Sequence, residues 1–351
     1  MNRIFTLIFT FLFLLGCTKE YQPRKIEKVT IDTFKIDSSS IRAIQVTARN
    51  SVSYAGSNGA IGFTTDNGTS WQTLNVSYQD TIIPNFRSFA FNGTDYFALS
   101  IGNPALLYKI SKGKATLKYM EKDPKVFYDA LTFFEDNLHG IAVGDPTENC
   151  ASILITTDGG ETWNKVSCEN LPKIFEGEAF FAASNTNIKT IGSTVWIGSG
   201  GNKARVLKST NYGKTWQVLE TPIIQGNGPQ GIYSIDFYDK NNGIVIGGDY
   251  SEPQENTANK AITADGGKTW SLIAGKQNPN YKSCVQYVPD TNGKEIFAVG
   301  KTGVSFSNNG GATWKEVSKD AYYTIQFIDK NTAWLGGEQK IGKLELHYMY
   351  K

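Results

Sequence analysis

Short apolar segments separated by polar, glycine-containing turns follow one another along most of the chain. Each group has the same order: an apolar strand, a turn such as residues 239–243 (DKNNG), a second strand ending in glycine, as in residues 244–247 (IVIG), then a third strand, a tight turn and a fourth strand that begins with tryptophan. Short runs of this kind, bounded by Gly, Asn and Asp, are typical of β-strands. The pattern predicts a repeating unit of four antiparallel strands.

The first strands of these units align at their second residue, at intervals of 45, 42, 49, 55, 49 and 41 residues. Forty-odd residues is the length of a four-stranded propeller blade. We therefore expect an all-β, seven-bladed β-propeller. The last unit ends after residues 343–346 (KLEL), so a strand around residues 29–36 is expected to complete it and to remove the open sheet edges. The aligned residues are Arg42, Arg87, Asp129, Glu178, Tyr233, Lys282 and Tyr323.

The tight turn before tryptophan recurs five times, at residues 64–71 (TTDNGTSW), 156–163 (TTDGGETW), 209–216 (STNYGKTW), 263–270 (TADGGKTW) and 307–314 (SNNGGATW). The side chain at its third position can accept hydrogen bonds from the backbone, and the glycine supplies a positive φ. An amide can make the same turn but cannot act as a general acid, which favours a structural role; calcium binding by some turns is left open. The third-position residues are Asp66, Asp158, Asn211, Asp265 and Asn309.

This turn resembles the Asp-box, or bacterial neuraminidase repeat, of β-propellers. The seven-unit arrangement is similar to the photosystem II assembly-factor family and, more distantly, to sialidases and sortilin-type receptors. The resemblance covers almost the whole chain after its N-terminal segment and implies a scaffold for the assembly of a complex. It is specific for architecture and weak for activity, because one propeller scaffold hosts binding proteins and hydrolases alike.

The N-terminal segment has the pattern of a signal peptide. Arg3 precedes an apolar stretch at residues 4–15, which is too short to span a bilayer as a mature helix. Residues 14–17 (LLGC) resemble a bacterial lipobox, which implies cleavage before Cys17 and acylation of this residue; the alternative is an ordinary signal peptide with an incidental cysteine. Thr18, rather than Asp, follows the cysteine, and in lipoproteins that resemble this one the absence of Asp there implies the outer membrane. We expect a signal peptide at residues 1–16, a lipidated tether at 17–27 and a single propeller domain at 28–351, in the bacterial cell envelope.

Composition excludes several classes of function. The formal net charge of +2 gives no bulk attraction to nucleic acid. His139 and His347 are the only histidines, so no zinc site or Ser-His-Asp site can be assembled, and no phosphate-binding glycine motif opens a helix. We expect a monomer that has no cofactor, no metal and no catalytic residues of these kinds.

The candidate site is a ring on one face of the propeller. The loops between strands two and three and between strands four and one share the face at which the inner strands start. The long insertions lie in these loops, at residues 144–149, 168–172, 198–203, 221–228 and 248–256. The seven aligned residues would form a mixed-charge ring at this face. They either pair with one another around a water-filled channel or form a pocket for an anionic or hydroxyl-rich group of a protein or glycan partner.

An enzyme is the alternative interpretation. The sialidase resemblance implies three arginines for the substrate carboxylate, a tyrosine nucleophile paired with glutamate, and an aspartic acid. Arg42 and Arg87 match two of the arginines, Lys282 stands in place of the third, and the motif F/Y-R-I-P is missing. We therefore expect a lipid-anchored binding and assembly scaffold, with a sialidase-like glycoside hydrolase or lyase acting on acidic glycans as the alternative.

The cysteines predict one disulfide bond. If Thr156 lies opposite Trp163 in the third Asp-box hairpin, Ala151 lies opposite Cys168, and Cys150 comes within one residue of register. Cross-strand neighbours lie near the separation that a disulfide requires. We expect a Cys150–Cys168 bond in an oxidising compartment, with Cys284 reduced.

Overall fold

The computed structural model describes residues 21–348, so the signal peptide and Cys17 lie outside the described residues. This part of the chain consists of 28 strands and one 3-10 turn, Cys168–Asn170. The strands are β1 (Ile26–Ala48), β2 (Ser51–Gly56), β3 (Ala60–Thr64), β4 (Gln72–Asn75), β5 (Phe86–Phe91), β6 (Tyr96–Ser100), β7 (Ala105–Ser111), β8 (Lys114–Glu121), β9 (Tyr128–Phe133), β10 (Gly140–Gly144), β11 (Ser152–Thr156), β12 (Asn164–Lys165), β13 (Glu178–Ala179), β14 (Ile188–Ile191), β15 (Thr194–Gly198), β16 (Gly200–Gly201), β17 (Arg205–Ser209), β18 (Gln217–Glu220), β19 (Gln230–Phe237), β20 (Gly243–Asp249), β21 (Lys260–Thr263), β22 (Ser271–Leu272), β23 (Cys284–Tyr287), β24 (Ile296–Gly300), β25 (Gly303–Ser307), β26 (Lys315–Ser318), β27 (Thr324–Asp329) and β28 (Thr332–Tyr348).

The strands form six antiparallel sheets. Four sheets have four strands each: β5-β6-β7-β8, β9-β10-β11-β12, β14-β15-β17-β18 and β23-β24-β25-β26. Two have six strands: β13-β16-β19-β20-β21-β22 and β27-β28-β1-β2-β3-β4. The four-stranded unit predicted from the sequence is therefore present, in six sheets.

The prediction of seven blades is wrong, because the structure has six. The difference arises in β1, which pairs with β28 over Ile26–Lys35 and again at Ser40, and then with β2 from Ile41 onwards. The register with β28 shifts around Ser38, which has a φ of 57°, and the strand then changes partner after Ser40 without leaving the sheet. Hydrogen bonding therefore joins the first and last predicted units into one six-stranded sheet.

The same sheet closes the ring between the two ends of the chain. Val29 lies opposite Leu346 and Ile31 opposite Leu344. These side chains pack in one apolar cluster with Phe297 and Phe327. The pairing covers a strand edge that would otherwise be open at each end of the chain.

The tryptophans of the Asp-boxes attach neighbouring sheets to each other. Trp163, in the sheet of β9–β12, is 6.2 Å from the ring of Phe97 in the preceding sheet and 5.8 Å from Phe133. Buried aromatic pairs at such distances add to the free energy gained by burying their apolar area. The hairpin that forms the Asp-box turn therefore also packs its tryptophan into the core between two sheets.

The Asp-box turns are closed by their own side chains. Asp158 accepts hydrogen bonds from Thr156 Oγ1 (2.7 Å), Thr162 N (3.0 Å) and Thr162 Oγ1 (2.7 Å). In the sheet of β14, β15, β17 and β18, the side-chain oxygen of Asn211 accepts hydrogen bonds from Ser209 Oγ (3.0 Å) and Thr215 N (2.9 Å). The amide therefore makes the same turn. Within residues 21–348, no three His, Cys, Asp or Glu side chains are close enough to share a metal ion.

Cys150 and Cys168 are joined by a disulfide bond, with 5.5 Å between their Cα atoms, and Cys284 is a buried free thiol. The hairpin register, with Leu154 opposite Lys165, is the one from which this pairing was predicted. None of the elements between residues 21 and 348 is a helix of the length and hydropathy needed to cross a bilayer.

Candidate functional site

The direction of the strands divides the ends of each sheet between two faces. In the sheet of β23–β26, Lys282 precedes the inner strand and Lys301 follows the second strand, so both lie at one face. Glu295, before β24, and the Asp-box at residues 307–314 lie at the other. We call the first the cavity face and the second the Asp-box face.

A cavity of about 570 Å³ opens at the cavity face, where the inner strands of several sheets begin. Four of the seven predicted ring residues line it: Arg42, Arg87, Tyr233 and Tyr323. Three of the long insertions also reach it, through Asp145, Gly228 and Tyr250. The cavity is thus built by inner strands and insertion loops together.

Three of these four side chains, those of Arg42, Arg87 and Tyr233, stand at β-bulges. The pairing of β1 with β2 skips Arg42 between Ile41 and Ala43. Arg87 and Tyr233 are skipped in the same way on β5 and β19, and so is Asp129 on β9. A bulge adds one residue to a strand and re-aims its side chain. The sequence alignment found these positions without revealing the bulges that give them a common direction.

Arg42 and Arg87 differ from the other arginines between residues 21 and 348. Arg24, Arg49 and Arg205 each form an ion pair with a carboxylate, whereas no carboxylate of the described residues lies within 4.0 Å of either cavity arginine. The guanidinium of Arg42 lies 3.8 Å above the ring of Tyr323 and donates one hydrogen bond, to the main-chain oxygen of Ala183 (3.2 Å). Its Nε is buried without a partner.

The environment of Arg87 is electrostatically strained. Burial is the largest cause that lowers the pKa of Arg87, and the nearby charge of Arg42 lowers it further, while Asp129 acts in the opposite direction. Two guanidinium groups side by side with few acceptors disfavour each other and attract an anion. The bidentate geometry of arginine suits a carboxylate.

Aromatic rings form one wall of the cavity. Tyr233 is stacked on Phe181 with 4.0 Å between ring centroids, and Tyr281 meets Tyr233 edge to face at 4.8 Å. The hydroxyl of Tyr233 donates to the main-chain oxygen of Pro229 (2.7 Å), and burial raises the pKa of this phenol far above its usual range. With Tyr250, these rings constitute the aromatic wall, an apolar surface on which a flat group or a peptide can pack.

Two aspartates lie near each other at the cavity, and one of them, Asp129, acts on Arg87. Asp129 is completely buried, and neither carboxyl oxygen has a hydrogen-bond partner, although the main-chain N–H groups of Ala182 and Asp145 are nearby. Burial first, and then the carboxyl of Asp145, raise the pKa of Asp129 well above its usual value, against the effect of Arg87. Asp145 lines the cavity and accepts a hydrogen bond from the N–H of Phe180 (2.8 Å), and burial raises its pKa to about 6.

The sequence analysis missed several residues of the cavity, namely Phe181, Tyr281, Lys301 and the carboxylate Asp145. It follows directly after Gly144, which ends β10, so it belongs to the insertion at residues 144–149. Its position in an insertion at the cavity face was the one sequence feature that could have indicated Asp145 as a site residue. Its neighbours from other sheets could not be read from the sequence.

Glu178 and Lys282 do not line the cavity. Glu178 lies on β13, which pairs with β16, whereas the inner strand of the sheet formed by β14, β15, β17 and β18 is β14. The alignment of Glu178 with the inner strands is therefore wrong, because a two-residue strand in the preceding loop has a similar pattern. Glu178 forms a buried ion pair with Arg205 and accepts hydrogen bonds from Ser199 Oγ and Phe175 N.

Lys282 is buried within its own sheet. Its Nζ donates to Thr302 Oγ1 (2.9 Å) and to the main-chain oxygens of Thr302 and Gly303, and burial lowers its pKa to about 8. The sialidase-type constellation considered from the sequence is thus not assembled, since its third cationic residue and its glutamate both lie outside the cavity.

The fold and the repeats define an Asp-box β-propeller with an arginine-containing, aromatic cavity on one face. A family model described as the BNR/Asp-box repeat matches residues 154–165. No curated protein matches the sequence.

Similar solved structures cover almost the whole chain at low sequence identity. YCF48 bound to D1 peptide is 13% identical, with a TM-score of 0.65, over 94% of this chain and 100% of that one. YCF48 from Cyanidioschyzon merolae is 15% identical, with a TM-score of 0.60, over 90% and 98%. A catalytically inactive virginiamycin B lyase from Staphylococcus aureus, with quinupristin, is 11% identical, with a TM-score of 0.58, over 91% and 100%. At such identities these likenesses establish the fold alone.

Proposed function

We propose that this protein is a lipid-anchored binding scaffold of the bacterial cell envelope, and that its cavity holds a carboxylate-bearing segment of a protein partner. The observation that carries the proposal is the pair Arg42 and Arg87, which line the cavity without a carboxylate partner in the described part of the chain. Partly buried cations without counter-charges are costly unless something pairs with them. A bound carboxylate would supply that pairing.

The remaining walls favour a peptide over a glycan. The cavity volume of about 570 Å³ falls within the usual range for ligand sites, and the aromatic wall offers apolar rings rather than many hydrogen-bonding groups. The structurally similar YCF48 has been solved bound to D1 peptide, which supports a peptide ligand for this cavity by analogy. An acidic glycan is the competing ligand for the same arginines.

The proposed anchor is lipid attached to Cys17. The support is the sequence of residues 14–17 (LLGC) after an apolar stretch. Replacing Cys17 with Ser should move the protein from the membrane fraction to the soluble fraction. A variant that stays in the membrane fraction at the wild-type level would contradict the anchor.

The cavity can be tested with defined ligands. We would measure binding of synthetic peptides rich in glutamate, of the same peptides with glutamine, and of sialylated oligosaccharides, by fluorescence anisotropy. The double variant Arg42→Gln and Arg87→Gln should bind the acidic peptides about 10- to 100-fold more weakly, because each charge-assisted hydrogen bond contributes about 1.5–3 kcal/mol. Its melting temperature should stay within a few degrees of wild type, since these side chains support no ion pair.

Arg49→Gln is the control, because it makes the same substitution in an exposed ion pair with Asp329 at the Asp-box face and removes one arginine charge. Equal affinity for the glutamate and glutamine peptides would contradict a carboxylate site. Preferential binding of sialylated oligosaccharides would assign the cavity to an acidic glycan, and their hydrolysis by wild type would restore the enzyme alternative.

A further inference from the structure

The first residues that the structure describes are fastened to the Asp-box face. Glu295 has a side chain with no exposed surface, and it accepts hydrogen bonds from Arg24 through its N (2.9 Å), Nε (3.1 Å) and Nη2 (2.7 Å). The hydroxyl of Tyr21 donates to the same carboxylate. Both cation and phenol therefore converge on one buried acceptor.

Arg24 is held on its other sides as well. Its Nη1 donates to Asn331 Oδ1 (2.8 Å), its Nη2 donates to the main-chain oxygen of Lys330 (2.7 Å), and its guanidinium lies 4.0 Å above the ring of Tyr348. We call Tyr21, Arg24, Glu295, Asn331 and Tyr348 the N-terminal clasp. Its contacts join the chain before β1 to two sheets of the propeller.

The clasp and the cavity lie at opposite ends of the same strand. Glu295 directly precedes β24, whereas Lys301, which directly follows it, lines the cavity. The six steps along the chain from Glu295 to Lys301 span about 20 Å in antiparallel strand geometry. Asn331 likewise precedes β28, at the Asp-box face.

The chain between the clasp and the proposed lipid is short. Cys17 is four positions before Tyr21, a distance that extended chain covers with at most about 14 Å. Without the clasp, the first residue held by strand pairing is Ile26, nine positions after Cys17, and the reach rises to about 32 Å. The clasp therefore more than halves the length of the tether.

We propose that the N-terminal clasp holds the Asp-box face against the lipid bilayer and turns the cavity away from it. This inference rests on the proposed lipid attachment at Cys17. The Asp-box turns then face the lipid headgroups, and a partner anchored in the same bilayer must present a segment that extends beyond the thickness of the propeller. The occupant of the Asp-box face is the membrane itself.

Orientation can be measured with two matched probes on the lipidated protein in vesicles whose headgroups carry an energy acceptor. Thr69→Cys places a donor fluorophore in an Asp-box turn, at a position that is Glu161, Lys214, Lys268 or Ala312 in the other boxes. Thr257→Cys places it in the exposed loop between β20 and β21, at the cavity face. We expect at least twofold greater energy transfer from position 69 than from position 257.

The double variant Arg24→Gln and Glu295→Gln releases the clasp while leaving no unpaired buried charge. The difference in transfer between the two probes should fall to half or less, and trypsin cleavage after Lys25 should become at least tenfold faster. Arg49→Gln, on the same face but outside the clasp, should change neither. Equal or greater transfer from position 257 in the wild type, or no change in transfer and cleavage in the double variant, would overturn the inference.

Flotation of the vesicles distinguishes a failure of the proposed lipid attachment from a failure of the proposed orientation. Wild-type protein that does not float with the vesicles shows that the lipid attachment itself is wrong, before any energy transfer is read. Protein that floats but shows the reversed probe order shows that the anchor is right and the orientation is wrong.

Discussion

Aspartates at the two faces of the propeller have opposite environments. At the Asp-box face, hydrogen bonds from Ser70 and Thr64 lower the pKa of Asp66 to about 2. At Asp158 burial is the largest single effect and raises the pKa, but the hydrogen bonds from Thr162 and Thr156 together outweigh it and lower the pKa to about 2. At the cavity face, burial raises the pKa of Asp129 and Asp145. A carboxylate whose hydrogen bonds are all made within its own turn has a structural role. A buried carboxylate with few hydrogen-bond partners marks a place where a ligand or a proton can bind.

The arginines repeat this difference. Arg205 is paired with the buried Glu178, and Arg24 with the buried Glu295, so both stabilise the arrangement of the chain. Arg42 and Arg87 have no such partner in residues 21–348. The arginines of the candidate site thus differ from the structural arginines in lacking an ion-pair partner, and not in their charge.

The largest expected effect comes from the hairpin of β11 and β12, which is closed by the disulfide at its cavity end and by an Asp-box at the other. Replacing Cys150 and Cys168 with Ala should lower the free energy of unfolding by about 3 kcal/mol, as the chain-entropy model gives for a loop of 18 residues. Urea denaturation measures this. Reductant should destabilise wild type similarly and leave the double variant unchanged; a variant as stable as oxidised wild type would contradict the bracing role.

At the opposite end of the same hairpin, Asp158→Ala should cost about 1–2 kcal/mol, because the turn loses three hydrogen bonds at a partly solvated position. Asp158→Asn should remain close to wild type, since Asn211 and Asn309 make equivalent bonds. Thermal denaturation distinguishes the two variants. An equal loss for Asn and Ala would mean that the charge, and not the turn geometry, stabilises the box.

A smaller effect is expected on ligand affinity as a function of pH. Asp145 has a pKa of about 6, so it is negative at pH 8 and largely neutral at pH 5, while Asp129 has a pKa raised well above its usual value. Loss of the negative charge at Asp145 should strengthen binding of an acidic peptide roughly fivefold between pH 8 and pH 5.

Asp145→Asn is the control for this pH dependence. It should bind the acidic peptide at pH 8 nearly as well as wild type does at pH 5, and its affinity should change little with pH. Anisotropy titrations at both pH values provide the measurement. Weaker binding by wild type at pH 5 would refute the placement of this carboxyl beside the ligand.

The smallest effect is expected for Asp129→Asn. The folded-state pKa of Asp129 lies above its unfolded-state value, so folding takes up a proton, and the stability of wild type falls as pH rises between the two values. The melting temperature of the variant minus that of wild type should therefore be greater at pH 8 than at pH 5, by a few degrees. A lower relative stability at pH 8 would show that Asp129 is charged and paired in the folded protein.

The sequence predicted the local structure well and the arrangement of the sheets less well. The Asp-box turns are local, so Thr156, Asp158 and Thr162 are enough to specify their hydrogen bonds. The number of blades depends on whether a strand continues through a polar stretch, as β1 does near Ser38, and no turn residue records that choice. Six blades could therefore not be distinguished from seven by counting units.

The candidate site was predicted in part for a similar reason. Arg42, Arg87, Tyr233 and Tyr323 were found because their inner strands share a pattern. Glu178 was misplaced because a two-residue strand imitates that pattern, and Asp145 was missed because its role depends on contacts between sheets. Periodicity shows which side chains of one strand share a face. It does not show which residues of different sheets come into contact around the ring.

The sheet that contains both β1 and β28 also determines when folding can finish. Its closing pairs join residues more than 300 positions apart, so the entropy of closing a very long loop must be overcome before these contacts form. Until β28 has been synthesised, the sheets already formed leave unpaired strand edges that can associate with other chains. Pairing of β28 with β1 hides those edges, so β1 has to stay available from the start of folding until β28 can pair with it.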